Sequence, residues 1–263
     1  MQFERIYALM LRYVLVIPRD LHRIFELFLY PIIDIILWGF MGLWVQQSQA
    51  GGSTLGIILP ASLVLWMIVE SMQREVSINL AEEIWAHNII NLFVTPMHLY
   101  EWLIAVVILG VIKTIFIFGF ATFILWLLLG IDILSIGSIL IALWFLLMLS
   151  GLAIGLCVNA VLIRYGRNIA PVIWSVPYLI LSFSAVFYPM RFLPTWAQYI
   201  GRALPISYVF ESLRQLMQHG TVSYSTLFTS FILVLVYLAF GLFLFFLFFK
   251  KSKVVGLAQL EAD

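Results

Sequence analysis

Charge is what this sequence has least of. Only 10% of its 263 residues are Asp, Glu, Lys or Arg, against about 25% in an ordinary soluble domain. With 64% hydrophobic residues and a mean hydropathy of +1.10, that scarcity excludes a chain solvated on all sides. The single cysteine, Cys157, excludes an internal disulfide and a cysteine-built metal cluster. No G-x-x-x-x-G-K-[ST] run occurs, so the chain lacks the loop that cradles nucleotide phosphates. A net charge of +1 gives no pull toward nucleic acid. No secretory leader is expected, because Glu4 and Arg12 break the N-terminal apolar run.

What the chain does have is long, unbroken apolar runs. They define an all-α integral membrane protein rather than a barrel, whose strands would alternate. Six spans are expected, at 27–45, 56–74, 102–130, 136–163, 169–188 and 224–249. Each is long enough for roughly 30 Å of hydrocarbon at about 1.5 Å per residue. Pro171 and Pro177 interrupt the fifth. No internal repeat and no long linker divides the chain, so 1–263 reads as one membrane domain.

Lys and Arg placement sets the direction. With both termini in the cytoplasm, ten basic residues face inward: Arg5, Arg12, Arg19, Arg23, Arg74, Arg164, Arg167, Lys250, Lys251 and Lys253. Three face outward, Arg191, Arg202 and Arg214. The expected location is therefore the cell (cytoplasmic) membrane, multi-pass, with cytoplasmic termini.

Three segments are not spans. In 1–24, Ile6, Leu9, Met10, Tyr13, Val14 and Ile17 form one apolar stripe, and Arg5, Arg12 and Arg19 lie opposite. That pattern predicts a helix lying in the headgroup plane. In 79–96, Asn79 and Glu82 have capping-box spacing and Pro96 ends the element. Glu83, His87, Asn88, Asn91 and Thr95 then form a polar stripe opposite Trp85, Ile89, Leu92 and Phe93. Glu75, Glu82, Glu83 and Glu101 crowd this cytoplasmic region, and so many acids suit a protein partner better than anionic lipid. In 189–220, Pro194 and Pro205 are placed to start short helices and Gly220 to end the second. This hairpin is expected to re-enter the outer leaflet.

That layout resembles the ABC type-2 transporter permeases, the transmembrane subunits of ATP-binding cassette exporters. EEIWAHNIINLFVTPMHLYEWL (82–103) looks like the family's coupling-helix region. FYPMRFLPTWAQYIGRALPISYVFESLR (187–214) looks like its C-terminal signature, with the pairs Pro194/Trp196, Pro205/Tyr208 and Glu211/Arg214. The resemblance implies that Glu82, Glu83, Trp85, His87, Asn88 and Asn91 dock a separate ATPase subunit, present in two copies, which binds ATP and magnesium. It implies a second permease, identical or similar, and an amphipathic, lipid-linked or drug-like cargo. It implies no cofactor, catalytic residue or metal in this chain.

Asp34, Glu70 and Lys113 lie within spans, where a charge needs a partner or a wet cavity. An Asp34–Lys113 pair is the structural expectation; a place in the substrate path is the functional one. An ion-coupled secondary transporter is the alternative function. A membrane-embedded enzyme is weaker still, since His22, His87, His98 and His219 are scattered.

Overall fold

A computed structural model describes residues 2–48, 53–88 and 98–255. Within them every regular element is helical. α1 (Gln2–Val16) leads through a 3-10 turn and the short α2 (Leu21–Ile24) into a π-helical turn, Phe25–Leu29. Pro31 follows directly, with no N–H to return to Leu27 and a ring that crowds that carbonyl; the wider π turn relieves both. α3 (Tyr30–Ser48), α4 (Ser53–Trp85), α5 (Leu99–Leu129), α6 (Ile139–Tyr165) and α7 (Val172–Phe183) come next. α8 (Thr195–Ala203), α9 (Pro205–His219) and α10 (Tyr224–Val255) complete the order.

Five stretches among the described residues are long and apolar enough to cross a membrane: Leu21–Ser48, Gly56–Trp85, Leu99–Leu129, Ile139–Ile169 and Tyr224–Ser252. They coincide with five of the six expected spans. The exception is 169–188. Its helix, α7, has 12 residues, about 18 Å of length. Pro171 sits at its N-terminal cap, and the chain leaves the helix through Ala185 at φ 54°. A left-handed alanine is strained and ends the helix sharply.

α4 is the axis of the bundle. In its most apolar stretch 83% of residues are buried, against 22% in the first span and 17% in α10. It packs against α3, α5 and α6, while α10 packs on the far side of α6. In lipid, apolar side chains gain little by leaving one apolar medium for another, so close backbone approach holds helices together. Gly151 and Gly155, four apart on α6, supply that approach. A Cβ at Gly151 would stand 2.5 Å from the Val69 carbonyl, and one at Gly155 3.0 Å from Val76 Cβ. Gly42 on α3 and Gly56 on α4 meet likewise.

This packing generates a matched pair of substitutions. Gly151→Ala is expected to lose about 1–3 kcal/mol of stability through overpacking. Gly119→Ala, where nothing lies within 4 Å, is expected to be neutral or slightly stabilising through helix propensity. Thermal unfolding of the detergent-solubilised chain, followed by size-exclusion, reads both; equal midpoints would refute the tight α4–α6 contact.

Candidate functional site

The polar residues of the bundle collect in three places along α4: a charged junction at its C-terminal half, a cleft beside its middle, and a clamp at the 185–214 segment.

The junction is built on Lys113 of α5, which is buried. Its Nζ lies 2.9 Å from both Glu26 Oε2 and Glu75 Oε2. Arg74 reaches Glu26 Oε1 at 3.5 Å and also pairs with Glu70 one turn away. Nearer the end of α4, Arg23 bonds Glu82 and, at 3.3 Å, Asn79 Oδ1. Asn79 in turn donates to Glu75 Oε1 at 2.8 Å. The chain of contacts closes on α1. Glu83, 2% exposed, accepts from Tyr13 Oη at 2.9 Å, Arg12 Nη2 at 3.1 Å and Asn88 Nδ2 at 2.6 Å. Trp102 Nε1 donates to Tyr13 Oη at 3.1 Å. Burial, with the Glu83 charge behind it, pushes the Tyr13 hydroxyl above its ordinary value, so it remains a donor.

These contacts correct several sequence expectations. The α1 stripe of Ile6, Leu9, Met10, Tyr13 and Ile17 packs on the protein core, beside α5, and only Val14 of that stripe is exposed. Asn79 caps nothing: it lies inside α4, which runs unbroken to Trp85. Glu75, Glu82, Glu83 and Glu101 are on helices, and all four bond within the chain, Glu101 to Arg5 and to the His98 N–H. Lys113 pairs with Glu26 and Glu75 rather than Asp34. Trp85 stacks on Trp174 at 6.3 Å and 9°. His87, with φ 51°, is exposed. Asn91 lies outside the described residues.

The cleft has a volume of about 500 Å³ and lies between α3 and α7, with α4 as its back wall. Each wall contributes a stripe at helical spacing. They are Tyr30, Asp34 and Trp38 on α3; Trp66, Glu70 and Arg74 on α4; and Trp174, Tyr178 and Leu181 on α7. Trp38 stacks on Phe187 at 3.8 Å and 11°, at the end away from His22 and Glu26. Sequence reasoning picked out Asp34 and Glu70 but missed the aromatics flanking them. The signal was present, as a polar residue four positions from an aromatic on each of these two helices.

The clamp joins α9 to the turn after α7. Arg214, buried, donates to the carbonyls of Ala185 and Val186, the latter at 3.1 Å. Glu211 Oε1 accepts from the Met190 N–H at 2.8 Å and lies 3.4 Å from Arg214 Nη2. Burial lowers the affinity of the Arg214 guanidinium for its proton, and Glu211 opposes that shift. The prolines act as expected: Pro194 caps α8 and Pro205 opens α9. Tyr208 Oη donates to the Arg202 carbonyl at 2.8 Å. Phe210 is in the core, whereas Trp196 and Tyr199 are exposed. α9 packs on α10, α6 and α4.

The described residues thus form a polytopic helical membrane protein whose buried charges gather at a junction, a cleft and a clamp. The sequence pattern of the ABC-2 type transporters matches residues 4–218, and the chain belongs to that family. A Cyanophora paradoxa protein that carries the name transport permease ycf38 is 24% identical over 231 residues, covering 85% of this chain and 77% of that one.

Two substitution sets test the junction and the clamp. Lys113→Met leaves Glu26 and Glu75 facing each other in a dry site, and should cost about 3–5 kcal/mol. Adding Glu75→Gln should recover much of that loss in the amount of monodisperse protein; wild-type behaviour of the single variant would contradict the pairing. For the clamp, a charge swap does not rescue. Glu211→Arg with Arg214→Glu turns a carboxylate toward two backbone carbonyls, so the double variant should be at least as unstable as Arg214→Glu alone. Recovery to the wild-type melting temperature would mean the Glu211–Arg214 pair, rather than the carbonyl contacts, is what matters.

Proposed function

We propose that this chain is the membrane subunit of an ATP-driven exporter, moving an amphipathic substrate out of the cytoplasm or the inner leaflet. The family works with an ATPase partner, and the chain lacks a phosphate loop of its own. ATP and magnesium belong to that partner, taken here as two copies beside two permeases, either a homodimer or a pair of similar chains. The observation that carries the reading is the continuity of α4. One unbroken helix of 33 residues joins the cleft-lining Glu70 and Arg74 to the turn at Ala86–His87. Force applied by an ATPase beyond Trp85 would reach the cleft without crossing a hinge.

The region between Trp85 and Leu99 is proposed as the coupling segment, facing the cytoplasm with both termini. Of the implied docking set, Glu83 bonds Arg12, Tyr13 and Asn88, and Glu82 bonds Arg23; the exposed His87 and His98 are proposed as contacts along with Asn91. The 189–220 hairpin is proposed to be external and to dip into the outer leaflet. Two features support this. α7 is too short to fill that depth. Ser230, seven residues into α10, donates to the Pro205 carbonyl at 2.9 Å, so α9 starts beside α10 rather than beyond its end.

The test is biochemical. The chain alone should hydrolyse no ATP above background, and with its ATP-binding partner it should copurify as an active ATPase. Cysteine at His98 should crosslink to that partner, and His87→Ala with Asn91→Ala should weaken association about thirtyfold, the roughly 2 kcal/mol of one interface hot spot. Glu83→Ala should act differently, by releasing α1. ATP hydrolysis by the isolated chain, or gradient-driven transport with no ATPase bound, would overturn the assignment.

A further inference from the structure

The cleft between α3 and α7 holds more negative charge than its own cations balance. Glu26, Asp34 and Glu70 line it, against Arg74. Arg74 is already committed to Glu70 and Glu26, and Lys113 is divided between Glu26 and Glu75. Asp34 makes no hydrogen bond or ion pair with any described residue. It stands near the middle of the Leu21–Ser48 span, where a carboxylate is costly unless a partner or water attends it. His22, at the far end of the same wall, is about 18 Å away along the helix and cannot serve.

The surroundings of Asp34 select the partner. Tyr30 and Trp38 lie one turn to either side of it on α3, and Trp66 and Tyr178 line the facing walls. Aromatic faces around a carboxylate suit an organic cation, which gains from the ring quadrupoles as well as the charge. Its apolar remainder would meet Ile33, Leu63, Met67 and Leu181. The volume of about 500 Å³ is that of a small-molecule site.

We infer that the cleft binds an amphipathic organic cation, its positive centre beside Asp34 among Tyr30, Trp38 and Trp66. This rests on the transporter reading for its role, since it names that transporter's substrate class, but not for its geometry. The cation belongs either to a free amphiphile or to the headgroup of an aminolipid, and both present the same chemistry to Asp34.

The experiment uses the full chain in uncharged maltoside micelles and a diazirine-bearing alkyl trimethylammonium probe. A second probe replaces the quaternary nitrogen with carbon, keeping shape and removing charge. The cationic probe should label peptides of α3, α4 and α7 saturably, and the neutral one at least about tenfold less. Asp34→Asn, which breaks no contact, should reduce cationic labelling by a similar factor. Asp132→Asn, in the loop after α5, should not. Displacement by a tetraalkylammonium salt identifies a free cation as occupant, displacement by lysophosphatidylethanolamine an aminolipid, and either supports the site. Equal labelling by the two probes, unchanged labelling of Asp34→Asn, or no label in the cleft overturns it. ATPase copurification is read separately. An intact permease–ATPase complex with no cation labelling sinks only this inference, and labelling without an ATPase partner sinks only the exporter assignment.

Discussion

Lys113 is the residue around which the other charges are arranged. An ammonium in the middle of an apolar bundle is tolerated only with its hydrogen-bonding capacity met and its charge balanced. Two carboxylates meet it, one from the π turn before α3 and one from α4. Having two acids on one lysine creates the next requirement, which Arg74 and Arg23 satisfy, and these in turn engage Glu70 and Glu82. Three helices that apolar packing alone would let slide in lipid are thereby fixed in register. The π turn belongs to the same arrangement, because it sets the facing of Glu26 ahead of α3.

The junction also fixes α1 on the bundle. Glu83 is buried and bonded by Arg12 and Tyr13, and Tyr13 is held by Trp102 at the start of α5. One carboxylate therefore ties the N-terminal helix to the last turn of α4 and to the first turn of α5. These are the two ends that flank the proposed coupling segment. Any displacement of that segment is felt by α1 directly, through charge-assisted bonds in a setting where their loss leaves an uncompensated carboxylate.

Long-range order was legible in the sequence where it rests on composition and period. Five spans, the prolines that start α8 and α9, and the all-helical class follow from run length and from the backbone chemistry of proline. What was not legible is pairing between distant residues. Asn79 and Glu82 have the spacing of a cap, yet the same spacing occurs inside any helix, and α4 runs through them. The acids of 75–101 suit a protein partner by composition, and a sequence does not reveal that Arg5, Arg12, Arg23 and Lys113 also fold back onto them. The Asp34–Lys113 expectation failed for the same reason: charge complementarity names candidates, and only helix register chooses among them. The cleft stripes were recoverable in principle, but aromatics in a membrane chain are so common that a polar residue four positions away carries little weight until three such stripes converge.

The short α7 connects the cleft to the clamp. It runs beside α4 from the Trp85–Trp174 stack to the level where Phe187 meets Trp38, and there the chain turns through a left-handed alanine. That turn is strained, and it leaves the carbonyls of Ala185 and Val186 without helical partners. Arg214 supplies the donors, and Glu211 takes the Met190 N–H a few residues on. The strain is thus held by α9, which is itself packed on α4, α6 and α10. Phe187 sits one residue beyond this clamped turn, so its stack on Trp38 is positioned by α9 rather than by α7 alone. Movement of the hairpin would shift Phe187, and with it the aromatic end wall of the cleft.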